Sequence, residues 1–301
     1  MGTKGRKKWF VGGVAILLAL LIVAALYFVN SGERGVEDYQ IAERQFTEVD
    51  TEQYSYWDAV TLGYVELEGL EEEVQAKINQ AIYESVFHRA NYWHYKPNEE
   101  VKAFQEEYSI YADDVICEAD YYSQYLVSLN FMEYYAPNDP VYWVKFTQWG
   151  MNFDLLTGEE YELGDILVID ENFAIFWLNE VFEGEEWEEE YLTYTMEWFS
   201  GTSTAEEYEI VPYFYLTAEG DFVIGASMNP TYAGLVPGEP ENNTLSIQVS
   251  YEKLKEFAAD SLFWERYERS EPAGTVVKNE AYKENKWLGK EGSVWTYWET
   301  R

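Results

Sequence analysis

Residues 125–135 read YLVSLNFMEYY. Tyr125, Val127, Leu129 and Phe131 fall on one side of an extended chain, and Leu126, Ser128, Asn130 and Met132 fall on the other. A period of two marks a β-strand. Asn138-Asp139-Pro140 then reads as a turn. Residues 141–153 are rich in Val, Tyr, Trp and Phe and are expected to return as the partner strand.

Upstream, residues 59–68 form a second strand candidate, with Val60, Leu62, Tyr64 and Glu66 on alternate positions. A helix should follow Gly69. Leu70, Val74, Ile78, Ile82, Val86, Ala90 and Trp93 recur at helical spacing, and Ala81 broadens the stripe. Glu71, Glu72 and Glu73 fill its first turn, where negative charge meets the positive end of the helix dipole. Pro97 closes that region. From Val115 onward the pattern is strand-like.

Downstream, residues 154–158 make a turn and Tyr161, Leu163, Ile166 and Leu167 follow it. Residues 172–182 look helical, with Phe173, Phe176, Trp177 and Val181 on one side. Residues 214–216 and 222–226 flank a hairpin turn at 217–221. Residues 245–249 form a short strand, and 251–259 a closing helix. Strand runs with helices at their margins predict an α+β fold: a mainly antiparallel sheet with packed helices. The folded domain is expected over residues 59–260. Residues 261–301, which hold Trp264, Trp287, Trp295 and Trp298, have no assigned role.

The chain begins differently. Residues 1–8 read MGTKGRKK, with Lys4, Arg6, Lys7 and Lys8 and no acid. Residues 9–29 run 21 positions without a charge. At about 1.5 Å per residue such a helix spans about 31 Å, the thickness of a bilayer's apolar core. Trp9 and Tyr27 stand near its ends, where amphipathic rings favour the interface. The expectation is one N-terminal transmembrane helix, with a cytoplasmic tail at 1–8, a linker at 30–58 and an extracytoplasmic domain beyond. The rival reading is a cleaved secretory signal, but its apolar region is usually shorter.

Charge narrows the partners. The 301 residues hold 56 acids and 20 bases, a formal charge of −36. Residues 103–252 carry 31 acids against one base, Lys145. Nucleic acid is not expected as a ligand, since phosphate binding needs clustered Lys and Arg. Aromatic residues make up 18% of the chain, far too many for a disordered acidic polymer. Cys117 is the one cysteine, which excludes an intramolecular disulfide and a Cys-rich zinc site. It falls among Val115, Ile116 and Ala119, where a packing thiol is expected.

Motif support for catalysis is thin. His88 and His94 stand six apart, the wrong spacing for a helical metal pair, and there is no HExxH or GxSxG. Asp165, Asp170, Glu171 and Asn172 are the best candidate for a weak calcium cluster, but no EF-hand loop is present. No cofactor is expected. Two binding features are candidates. Residues 183–190 read EGEEWEEE, so Glu185, Glu186, Glu188, Glu189 and Glu190 form either a solvated strip or a docking strip for a cationic partner. Trp143 and Trp149 either pack in the sheet or stack on sugar rings.

Four segments carry a family resemblance: GLEEEVQAKINQAI at 69–82, LVSLNFMEYY at 126–135, NFDLLTGEEYELGDIL at 152–167 and SIQVSYEKL at 246–254. They resemble the extracytoplasmic domain of RsiV-type anti-sigma factors, shared with the N-terminal region of PdaC-type peptidoglycan deacetylases. The resemblance implies an exported or membrane-anchored α+β module of the Gram-positive cell envelope, which in RsiV-type members binds lysozyme and thereby exposes a site for membrane proteolysis. Three departures matter. Residues 1–8 cannot hold a sigma factor, no deacetylase domain follows residue 260, and Ala136-Pro137-Asn138-Asp139-Pro140 stands where members commonly carry Gly-Gly-Ala-His. The expectation is therefore a non-enzymatic binding or sensor module at the membrane. Its expected ligand is a cationic protein such as lysozyme; the alternative is cell-wall glycan.

Overall fold

The computed structural model describes residues 34–36, 38–49, 59–99, 102–103, 110–137, 145–201, 208–230 and 244–279. The chain divides into two units, Met1–Gly35 and Val36–Arg301, and the second contains both sheets. Residues 1–33, including Trp9, Tyr27 and the expected transmembrane segment, lie outside the described residues. Among the described residues no helix is long and apolar enough to cross a membrane.

The larger sheet holds β1 (Gln40–Val49), β2 (Ala59–Glu68), β3 (Ile110–Tyr122), β4 (Leu126–Pro137) and β5 (Lys145–Asp154), in that spatial order. Neighbours are antiparallel except β2 and β3, which run parallel from Ala59↔Ala112 to Leu62↔Val115. A parallel pair needs a crossover. Here it contains α1 (Glu72–Ala90) and a turn of π-helix at Asn91–Tyr95. The α1 cap is Glu71, whose carboxylate accepts from the Glu73 and Val74 amides.

The α1 stripe behaves as its spacing requires. Ile78, Ile82, Val86 and Ala90 are buried against Val115, Cys117, Ala119, Val127, Leu129 and Phe131 of the sheet. Cys117 is inside this layer, and burial pushes its thiol well above its usual range.

The second sheet is β6 (Tyr208–Leu216), β7 (Phe222–Pro230) and β8 (Thr244–Val249), all antiparallel. Around it lie α2 (Leu163–Ile166), α3 (Glu171–Val181), α4 (Glu189–Phe199), α5 (Tyr251–Leu254) and α6 (Leu262–Arg269). This half has its own core of Phe173, Trp177, Phe214, Phe222 and Phe263. Phe263 sits edge-on to Phe214 at 5.7 Å and to Trp264 at 5.1 Å. The aromatic load is spent here, where large rings exclude much water per residue.

The two halves meet through polar side chains. Ser128 Oγ accepts from the Leu216 amide at 2.8 Å, Asn152 Nδ2 donates to the Phe214 carbonyl at 2.9 Å, and the Gln148 amide donates to Ser227 Oγ at 3.0 Å. The polar members of the β4 alternation therefore face a second sheet and not solvent. Gly150 permits this approach: a Cβ there would lie 2.0 Å from the Phe214 carbonyl oxygen.

Three regions differ from the expectation. The stretch 30–58, read as linker, contains β1, whose ten residues pair along the whole of β2. Its mixed composition, with Glu43, Arg44 and Gln45, suits an outer strand and hid it. The expected helix at 251–259 is broken into α5 and a 3-10 turn, Lys255–Phe257, because Ala258 bridges Leu167 and Phe257 accepts from the Val168 amide. Residues 261–279 complete the core. Phe263 and Trp264 are buried, and Val277–Lys278 forms β9, paired with β3 at Ala119 and Glu118.

Candidate functional site

A groove of about 930 Å³ opens between the halves. Its floor is β5, from Thr147 to Met151. One wall is α1, through Glu84, Ser85 and His88; the other is β6, from Ile210 to Phe214, with Phe199, Ser200 and Gly201 at the end of α4. The segment Glu160–Gly164 closes one end.

Among the described residues four glutamates line it, namely Glu84, Glu133, Glu160 and Glu162, and no Lys or Arg does. Glu133 is buried under the α1 side of the sheet and accepts from Thr147 Oγ1 at 2.9 Å. Glu160 is exposed, yet the surrounding protein strips part of the water from its carboxyl and Glu162 repels its charge. Its pKa is pushed up to about 7. A cation entering the groove would relieve that cost.

Trp149 lines the floor. Its ring stacks on Phe131 at 5.1 Å and 4°, and its Nε1 donates to Ser85 Oγ at 2.9 Å. The other sequence candidates are scattered. Trp143 lies outside the described residues. Glu185, Glu186, Glu188, Glu189 and Glu190 are exposed on the turn from α3 into α4, away from the groove lining. Glu189 and Glu190 fill the first turn of α4, where they favour its dipole.

The calcium candidates serve as caps: Asp165 accepts from the Glu162 amide at 2.8 Å, and Asp170 accepts from the Phe173 amide at 3.0 Å. Among the described residues no group of three or more His, Cys, Asp or Glu could hold a metal ion. His88 is exposed on α1 beside the groove. Sequence reasoning missed Glu84, Glu133, Glu160 and Glu162, which come from three separate segments and carry no local motif.

The fold and groove define a two-sheet α+β module with an acidic cleft. No family model and no curated protein matches the chain. Solved structures similar to it include a member of the DUF3298 family from Bacteroides fragilis NCTC 9343, at 12% identity over 77% of this chain and 98% of that one, with a TM-score of 0.45. Another is a DUF3298 family protein from Pseudomonas aeruginosa PAO1, at 10% identity over 74% of this chain and 96% of that one, with a TM-score of 0.41.

Proposed function

We propose that the chain is a non-enzymatic binding module, tethered outside the cell membrane by residues 9–29, whose ligand is a cationic protein of the lysozyme kind. The observation that carries this reading is the groove, lined among the described residues by four glutamates and no Lys or Arg. The surrounding field supports it, since a chain of charge −36 draws cations toward itself and salt weakens the pull. The segments that resemble RsiV-type domains point to the same partner. Calorimetric titration of the full chain in detergent with lysozyme tests the reading. Heat at low ionic strength, reduced at physiological salt, is expected. Silence at both removes this partner.

A second reading is cell-wall glycan binding, favoured by Trp149, Tyr161 and Tyr213 in the groove lining. Retention on purified peptidoglycan that survives high salt supports it, and no retention removes it.

A further inference from the structure

Among the described residues β5 is the last strand of its sheet. In an antiparallel ladder, successive residues turn their backbone groups alternately toward the partner strand and away from it. Three bonds fix the phase on β5. The Gln148 amide donates outward to Ser227 Oγ, the Asn152 carbonyl accepts from the Tyr161 amide at 2.7 Å, and the Asp154 amide donates to the Glu159 carbonyl at 2.9 Å. Gly150, in the same phase, therefore also turns its N–H and C=O outward. Neither group has a hydrogen-bond partner among the described residues. Gly150 is only half-buried and lies in the groove floor.

The chain already begins to cover this edge. Glu160 bridges Phe153 in the antiparallel sense, and the segment then turns away into α2. Ser227 holds the Gln148 amide, and between these two contacts the edge at Gly150 opens into the groove. A strand laid there would send its side chains alternately to the two walls. On the α1 side it would meet Glu84, Glu133 and Glu160; on the β6 side, Ile210 and Pro212.

We propose that the β5 edge accepts an extended segment of a cationic partner as an added antiparallel strand, with Lys or Arg on alternate residues toward the glutamates and apolar residues between them toward β6. This rests on the reading of the partner as a cationic protein and adds how it is held. Main-chain bonds to the Gly150 N–H and C=O supply register, Gln148 keeping its amide on Ser227, and the two walls supply selectivity for an alternating sequence. The Glu160 carboxyl, repelled by Glu162, gains a counter-ion on binding.

The test uses the full chain in detergent and fluorescence anisotropy with three labelled peptides. The first alternates Lys and Val, the second is its block isomer of identical composition, and the third replaces Lys by Glu. The alternating peptide should bind at least about tenfold more tightly than the block isomer, and the Glu peptide should not bind. N-methylation of the valines, whose backbone would face β5, should weaken binding about tenfold, whereas N-methylation of the lysines should be tolerated. The double variant Glu84→Gln/Glu160→Gln, with its fold checked by circular dichroism, should also lose about tenfold. Equal binding of the block isomer, equal tolerance of both methylated sets, or an unaffected double variant overturns the proposal. Lysozyme heat without peptide binding discards the added strand and leaves the wider reading standing.

Discussion

Arg266 and Asp154 meet at 2.9 Å inside the protein, with 1% and 0% of their side chains exposed. Asp154 closes β5 and Arg266 lies on α6, 112 positions later. The same carboxylate accepts from the Leu156 amide at 2.7 Å, the Thr157 amide at 3.2 Å and the Tyr161 hydroxyl at 3.2 Å. One buried acid thus shapes the turn after β5 and fastens α6 across the domain.

Removing either member strands a charge where water cannot reach it. Arg266→Ala should lower the unfolding free energy by about 3–5 kcal/mol, read from urea denaturation. A loss below about 1 kcal/mol would show the pair to be a minor contributor.

Asp120 should make stability fall as pH rises. It is 9% exposed, and burial together with Glu118 raises its carboxyl from 3.8 to about 7. The folded protein therefore holds a proton that the unfolded chain releases. Its favourable contribution is full below about pH 4 and is lost as pH climbs to about 7, with a slope of at most roughly 1.4 kcal/mol per pH unit. Asp120→Asn should flatten urea midpoints measured across that window; an unchanged slope would assign the pH dependence elsewhere.

Glu160 makes the corresponding prediction for binding. Its carboxyl is raised to about 7 by partial desolvation and by Glu162, and a cation favours the ionised form. Uptake of a basic peptide should release protons and tighten as pH rises from about 6 to about 8. Calorimetry in buffers of differing ionisation enthalpy reads this directly. Identical heats in all buffers would place the cation away from Glu160.

Gly150→Ala should disturb the contact between the halves. The added methyl would sit 2.0 Å from the Phe214 carbonyl oxygen, and a backbone atom cannot rotate aside. A cost of about 1–3 kcal/mol is expected by thermal unfolding. Wild-type stability would mean that β6 can slide over β5.

The legible parts of the fold were those with a single strong period. The stripe Ile78, Ile82, Val86 gave α1, and the alternation through Leu129 gave β4. β1 was hidden because an outer strand needs no apolar run, and its edge carries Arg44 bonded to Glu66 and Glu68. α4 was hidden behind the acids that begin it. The groove was illegible for a different reason: Glu84, Glu133 and Glu160 become neighbours only when a helix, a strand and a turn converge. Trp149 was legible as a candidate because its indole offers a flat face that either packs in a sheet or stacks on a ligand. Its hydrogen bond to Ser85, 64 positions away, was not.

The late position of α6 and β9 sets a timetable for biosynthesis. Arg266 is the counter-ion of an acid made 112 residues earlier, and Lys278 docks beside a strand older still. Until the ribosome has delivered these two elements, a buried carboxylate stands uncompensated and a ladder stands unfinished. A nascent chain halted before residue 261 should therefore remain a client of chaperones, and maturation should begin only once β9 has emerged.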